Sequence, residues 1–126
     1  MAKSILIIDN DASLVAFLAF LFEEQGFTVY TALDGDEGVT LAARHKPSVI
    51  ISDMMMGHMH GFEVLQRIRS DPELNRTVVI AMSAKSFKPD IDRARELGAT
   101  EYVVKPFKTE ELVALVAHHL SAPGLE

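Results

Sequence analysis

A chain of 126 residues, 48% hydrophobic and 24% charged, has room for one domain with a full core and the balance of an ordinary soluble globular protein. Its net charge of −6 argues against a direct nucleic-acid binder, which would need a basic face, and its lack of cysteine excludes disulfides, a thiol nucleophile and a Cys-based zinc site. The apolar opening Ile5-Leu-Ile-Ile8 is too short for a signal segment, and the longest apolar stretch, Leu14 to Phe22, is too short to span a bilayer, so a cytoplasmic protein is expected.

Strand-like and helix-like patterns alternate along the chain, which predicts a parallel sheet covered on both faces. Ser4 to Ile8 reads as the first strand. A helix follows from about Ala12 to Gln25, with Asp11 as N-cap and Gly26 as its stop. Leu14, Phe17, Leu18 and Leu21 recur at helical spacing and are expected to face the core. Thr28 to Ala32 alternates like an edge strand. Asp34-Gly-Asp-Glu37 resembles a capping box ahead of a helix reaching about His45, in which Gly38 should cost about 1 kcal/mol relative to Ala.

Pro47 opens the run Ser48-Val-Ile-Ile-Ser-Asp53, which suits a strand buried on both faces and ending on a carboxylate. The loop Met54-Met-Met-Gly-His-Met-His-Gly61 follows, then a helix from about Phe62 to Ser70, broken by Asp71-Pro72. Thr77 to Met82 is the fourth strand and ends on Ser83. Pro89 suits the first turn of a helix reaching Leu97, closed by Gly98. Glu101 to Val104 is the fifth strand. Thr109 is the expected N-cap of a last helix whose buried stripe is Leu112, Leu115, Val116 and Leu120. One domain over 1–120 is expected, with a frayed tail from Ser121 to Glu126 whose final Leu-Glu could be a cloning remnant.

In an open α/β sheet the carboxyl edge of the strands is where ligands collect. Here that edge would gather Asp9, Asn10, Asp53, Ser83 and Lys105. Acids that can hold Mg²⁺, one hydroxyl and one ammonium are the groups needed to neutralise and orient an incoming phosphoryl group. No Ser–His or Cys–His couple points to acyl transfer.

The anchors Ile7-Ile-Asp-Asn-Asp11, Ile51-Ser-Asp53, Gly61-Phe62, Ala81-Met-Ser-Ala84, Gly98-Ala99 and Lys105-Pro-Phe107, in this order and spacing, resemble the receiver domain of two-component response regulators over residues 3 to 120. The resemblance implies a flavodoxin-like doubly wound (βα)5 fold with strand order 2-1-3-4-5. It implies that Asp53 takes phosphate from a histidine kinase or histidine phosphotransfer protein. The metal site would be Asp9, Asn10, Asp53 and the backbone carbonyl of Met55, with Mg²⁺ as cofactor. Ser83 and Tyr102 would be the switch pair, Lys105 would meet the phosphoryl group, and Lys105-Pro106 would be cis. The chain would then be a signalling phosphoacceptor that assists its own phosphorylation and dephosphorylation, not an enzyme, and would act on a downstream protein target.

Two departures stand out. The second member of the acidic pair is Asn10, whose amide can coordinate but brings no charge, so weaker Mg²⁺ binding is expected. The proline usually found four residues after the phosphoacceptor is Gly57, so a more mobile loop is expected. Asn10 keeps open a pseudo-receiver that binds partners without being phosphorylated. Asp9-Asn-Asp11 also matches the Asp-x-Asp pattern of haloacid-dehalogenase-like Mg²⁺ phosphatases, though that scheme leaves Asp53 unused and needs a late acidic pair for which only Glu110-Glu111 offer themselves.

The first helix carries a second apolar stripe of Val15, Ala19 and Phe22 with Ala16 and Phe20 beside it, so either this helix is buried more deeply than usual or the stripe is a docking surface; docking is the favoured reading, because in the receiver family this helix commonly meets kinase or phosphotransfer helices. His58 and His60 lack a third metal ligand. His118 and His119 are expected to interact with the negative end of the last helix. The Met54-Met55-Met56 run is expected to be packing and loop filler.

Overall fold

The structure is a computed structural model that describes residues 3–55 and 60–120. The elements, in chain order, are β1 (Ser4–Ile8), α1 (Ala12–Glu24), β2 (Thr28–Ala32), α2 (Gly35–His45), β3 (Val49–Asp53), α3 (Gly61–Arg69), β4 (Val78–Ser83), α4 (Lys88–Glu96), β5 (Glu101–Val104) and α5 (Thr109–Leu120), with a 3-10 turn at Pro72–Leu74. All strand pairs are parallel and the order is β2-β1-β3-β4-β5, as expected. The expectations on Gly57, His58, Met56 and the tail from Ser121 lie outside the described residues.

The apolar runs become the interior strands because helices cover both faces. Alternation within each run divides the core in two. Ile5, Ile7, Val49, Ile51, Val78 and Ile80 face α1 and α5. Leu6, Ile8, Ile50, Val79 and Ala81 face the side of α2, α3 and α4. Every residue of β3 and β4 is buried, whereas the edge strands β2 and β5 are partly exposed. Parallel register pairs Ile8 with Ser52, Asp53 with Met82, and Ser83 with Val104, so the strands end at one level.

The helix boundaries follow their local chemistry. Asp11 caps α1, its side chain accepting the N–H of Ser13 and Leu14. Asp34 accepts the N–H of Glu37 at 2.8 Å, and Glu37 reaches back to the N–H of Leu33 at 3.1 Å, one residue earlier than a standard box. Gly98 closes α4 at φ 109°, with the Ala99 N–H bonded to the Ala94 carbonyl. Gly38 is glycine because β1 passes so close that a Cβ would lie 2.5 Å from Ile8 Cδ1.

Three expectations are corrected. In α1 the inward face is Val15, Leu18 and Phe22, with Leu14 and Leu21 half-buried and Phe17 turned outward, 49% exposed. Val15 and Phe22 therefore belong to the core and not to a docking surface. Thr109 is the first residue inside α5; the Lys108 carbonyl accepts the first helical bonds, from Glu111 and Leu112. His119 pairs with Glu101 of β5 at 2.9 Å, so a neighbouring strand supplies its partner.

Candidate phosphoacceptor site

The carboxyl edge of β1, β3, β4 and β5 brings together Asp9, Asp53, Ser83 and Lys105. Three of them are almost wholly buried: Asp9 at 1%, Asp53 at 4% and Ser83 at 1% exposure. Burying two carboxylates side by side is unfavourable unless a cation joins them. Lys105, delivered by the turn after β5, does so: Nζ donates to Asp9 Oδ2 at 2.8 Å and lies 3.4 Å from Asp53 Oδ1. The Lys105–Pro106 peptide is cis.

Each group is held by its own neighbours. Asp9 Oδ1 accepts the Asp11 N–H at 2.8 Å, so both Asp9 oxygens are engaged. The Asp53 carboxylate accepts the N–H of Met55. The chain after Asp53 is pinned by the Met54 N–H bonding the Met82 carbonyl at 2.7 Å and by the buried Met54 side chain. Burial, and next the Asp9 charge, push the Asp53 carboxyl above the usual carboxylate range, although Lys105 and the Met55 N–H pull the other way. For Lys105, burial favours the neutral amine but is outweighed by the hydrogen bond to Asp9 and the charge of Asp53, so the ammonium is held above its ordinary value.

Ser83 and Tyr102 meet through a residue that sequence reasoning passed over. Ser83 Oγ accepts the Lys85 N–H at 3.0 Å, and Tyr102 Oη donates to the Lys85 carbonyl at 2.9 Å. The peptide groups of Lys85 are thus clasped from both sides. No pattern in the sequence signals this, because the atoms used are main-chain atoms. A cavity of about 220 Å³ opens beside the clasp, lined by Met54, Met55, Ser83, Lys85, Arg93 and Tyr102 among others.

The residues suited to a divalent cation are fewer than the usual oxygen cage. Among the described residues no group of three or more His, Cys, Asp or Glu side chains converges on one point. Asn10 is exposed and neutral, and the Asp11 carboxylate is turned to the α1 N-terminus as a cap. Two buried carboxylates with an amide and a backbone carbonyl nearby still fit Mg²⁺, which typically takes one or two carboxylates and completes its octahedron with water and phosphate. Asp9, Asp53, Asn10 and the Met55 carbonyl would hold it. The Asp11 cap also removes the second acid of the phosphatase pattern, and Glu110 and Glu111 are exposed on α5.

The expected docking residues divide. Val15 and Phe22 are core, Ala19 is half-buried, and Phe20 is 62% exposed. Phe17, assigned to the core from its spacing, instead lines an apolar groove of about 460 Å³ with Leu14, Ala84, Lys105, Pro106 and Phe107. Met54 is packing, as expected, while Met55 is 40% exposed. His60 stacks on Phe62 with ring centroids 5.4 Å apart.

The family model of the response regulator receiver domain matches residues 5–117. The chain belongs to this family. Among solved structures it is similar to the chemotaxis protein CheY4 of Vibrio cholerae, with TM-score 0.90 and 28% identity over 95% of this chain and all of that one. The receiver domain of a DNA-binding response regulator from Colwellia psychrerythraea 34H matches at TM-score 0.88 and 28% identity, over 95% of this chain and 99% of that one. The receiver domain of a signal transduction histidine kinase from Syntrophus aciditrophicus matches at TM-score 0.88 and 29% identity, over 99% and 95%. Receiver domains of this kind serve two-component signalling and are not enzymes of a conventional sort. No helix among the described residues is long and apolar enough to cross a membrane.

Proposed function

We propose that this receiver domain accepts a phosphoryl group on Asp53 from the phosphohistidine of a kinase or phosphotransfer protein, and that the transfer alters its contacts with a downstream protein. The observation that carries the reading is the placement of the Lys105 ammonium between the buried carboxylates of Asp9 and Asp53. That arrangement sets a positive charge against the acceptor carboxylate in a buried site, opposing the upward pull of burial on its proton affinity.

An Asp53 carboxylate oxygen attacks phosphorus, the bond from phosphorus to the donor nitrogen breaks, and the electron pair leaves with the imidazole. Mg²⁺, when bound, would supply neutralising positive charge to the phosphoryl oxygens. Lys105 contributes a second positive charge that is already in place, which is worth most where water is excluded. The Ser83 hydroxyl offers a hydrogen bond to a phosphoryl oxygen on Asp53. Engaging it alters the bond that Ser83 makes with the Lys85 N–H, and Tyr102 holds the same residue by its carbonyl. A change at Asp53 is thereby passed to the β4–α4 loop and to the face made by α4, β5 and α5, as a shift between two states. Phe17 and Phe20, with the groove beside Lys105, offer the donor protein an apolar surface next to the acceptor. A cytoplasmic location goes with such a donor.

Intact mass after incubation with Mg²⁺ and acetyl phosphate tests the reading. One phosphate adduct on the wild-type chain and none on Asp53→Asn is expected. No adduct at any Mg²⁺ concentration would leave a partner-binding receiver that is not phosphorylated, an outcome for which the neutral Asn10 is the structural reason.

A further inference from the structure

Gly61, the first residue of α3, lies against the strand end that carries Asp53. A Cβ placed on Gly61 would meet the Met54 Cα, would lie 2.6 Å from the Asp53 carbonyl oxygen and 2.9 Å from the Met54 carbonyl carbon. All three are main-chain atoms, so no side chain can swing aside to make room. The contrast with Gly98 is informative. There the three atoms nearest a Cβ all belong to the Arg69 side chain, and the residue lies before β5, at the opposite end of the sheet from Asp53.

We propose that Gly61 is a positioning residue for phosphoryl transfer: the missing Cβ lets the α3 N-terminus seat on the Asp53–Met54 peptide and fixes where the Asp53 carboxylate stands. This rests on the reading of Asp53 as the phosphoacceptor. The strand end is held from the other side by the Met54 N–H bond to Met82, and its side chain is locked in the core. The seated helix therefore closes the last direction in which the peptide could drift. A methyl group at 61 must push the strand end and α3 apart by at least about 0.8 Å to open the 2.6 Å approach to an ordinary 3.4 Å contact, and by more to clear the Met54 Cα. That displacement is comparable with the separation between the 2.8 Å and 3.4 Å contacts of Lys105. Misplacement on this scale slows a reaction by about 10- to 100-fold.

The test compares Gly61→Ala with Gly98→Ala, following adduct formation from acetyl phosphate by intact mass across donor concentrations, with thermal melts of each variant. Both variants are expected to melt lower. Only Gly61→Ala is expected to lose maximal rate, by about 10- to 100-fold, while the donor concentration at half-maximal rate stays as in the wild type. Equal slowing in both variants, or a wild-type rate in a folded Gly61→Ala, overturns the positioning role. No adduct on the wild-type chain overturns the phosphoacceptor reading and the inference with it. Should Gly61→Ala fail to fold, Phe62→Leu keeps Gly61 and loosens the same helix end; a slower maximal rate supports the inference and an unchanged one overturns it.

Discussion

Removing Lys105 as Lys105→Met leaves two carboxylates, almost without solvent exposure, facing each other with no cation between them. The ammonium lies 2.8 Å from Asp9 and 3.4 Å from Asp53. At an effective dielectric near 20 these separations correspond to gross attractions of about 6 and about 5 kcal/mol. Most of that is offset by the several kcal/mol needed to desolvate the ammonium and by its lost rotamer freedom, about 2 kcal/mol. Breaking a fully buried pair from one side costs about 3–5 kcal/mol, and because the Lys105 side chain is 24% exposed and water can enter, the cost falls below that range, to about 2–3 kcal/mol. At about 2.1 cal/mol/K of unfolding entropy per residue, a chain of this length should melt about 8–11 °C lower.

The pH dependence is set by Asp53. Its carboxyl holds a proton to higher pH in the folded chain than in the unfolded one, where the ordinary value is 3.8. Its burial penalty is therefore absent below that value and fully expressed once the pH has passed the raised folded value. The deficit of Lys105→Met should accordingly shrink as the buffer is taken from pH 7 into the acid range. Circular dichroism melts in EDTA, with Asp53→Asn and the double variant completing a cycle, would measure the coupling, expected at about 1–2 kcal/mol. A melt within about 2 °C of wild type and no coupling would show that the cation does not hold the two acids together.

Asp53→Asn alone should raise the melting temperature in metal-free buffer at neutral pH, with the gain fading on acidification, since the amide never bears the buried charge. Asn10→Asp should tighten Mg²⁺ about tenfold, worth about 1.4 kcal/mol, and lower stability without metal; a titration followed by amide chemical shifts measures the first and a melt in EDTA the second, and equal affinities would refute the role given to Asn10. Arg69→Met should cost about 2–4 kcal/mol in urea unfolding, because Nε and Nη1 serve the Gly98 and Leu74 carbonyls at 2.8 and 3.0 Å and no aliphatic side chain can replace them.

What the sequence discloses here depends on how one-dimensional the cause is. Strands β1, β3 and β4 were legible because strands buried on both faces must be continuously apolar, and the polar residue ending each run marks the edge where the chain can bear a carboxylate or hydroxyl. Asp11, Asp34 and Gly98 were legible because capping is settled within four residues. The site residues followed from these ends, and Lys105 from the turn after β5. The phase of α1 was not legible. From Leu14 to Phe22 every residue is apolar, so no polar side marks the outward face and spacing alone fits more than one stripe. Packing against β1 and α5 decides it, and it selects Val15, Leu18 and Phe22. Contacts formed by main-chain atoms, such as the Lys85 clasp and the Gly61 approach, leave no trace in side-chain pattern. Nor did His119, whose partner Glu101 comes from another element.

The corrected phase of α1 alters what the first helix can do. An aromatic side chain left about half or more exposed is unfavourable to the isolated domain, and Phe17 and Phe20 both are, with exposures of 49% and 62%. Phe17 shares its groove with Lys105 and Phe107, so the apolar surface begins at the residue that holds Asp9 and Asp53 together. Burying about 100 Å² of such a surface contributes roughly 2.5 kcal/mol to association. A donor that docks there is brought beside Asp53, the proposed acceptor, by contacts that do not depend on the metal site. This matters where Asn10 has removed one charge from that site: orientation by docking can supply what a weaker metal does not, since positioning alone accounts for several kcal/mol of a transfer barrier. On this argument Phe20→Glu should slow transfer from a protein donor while leaving labelling by acetyl phosphate unchanged. Equal effects on both donors would mean that the helix supports the fold and plays no part in docking.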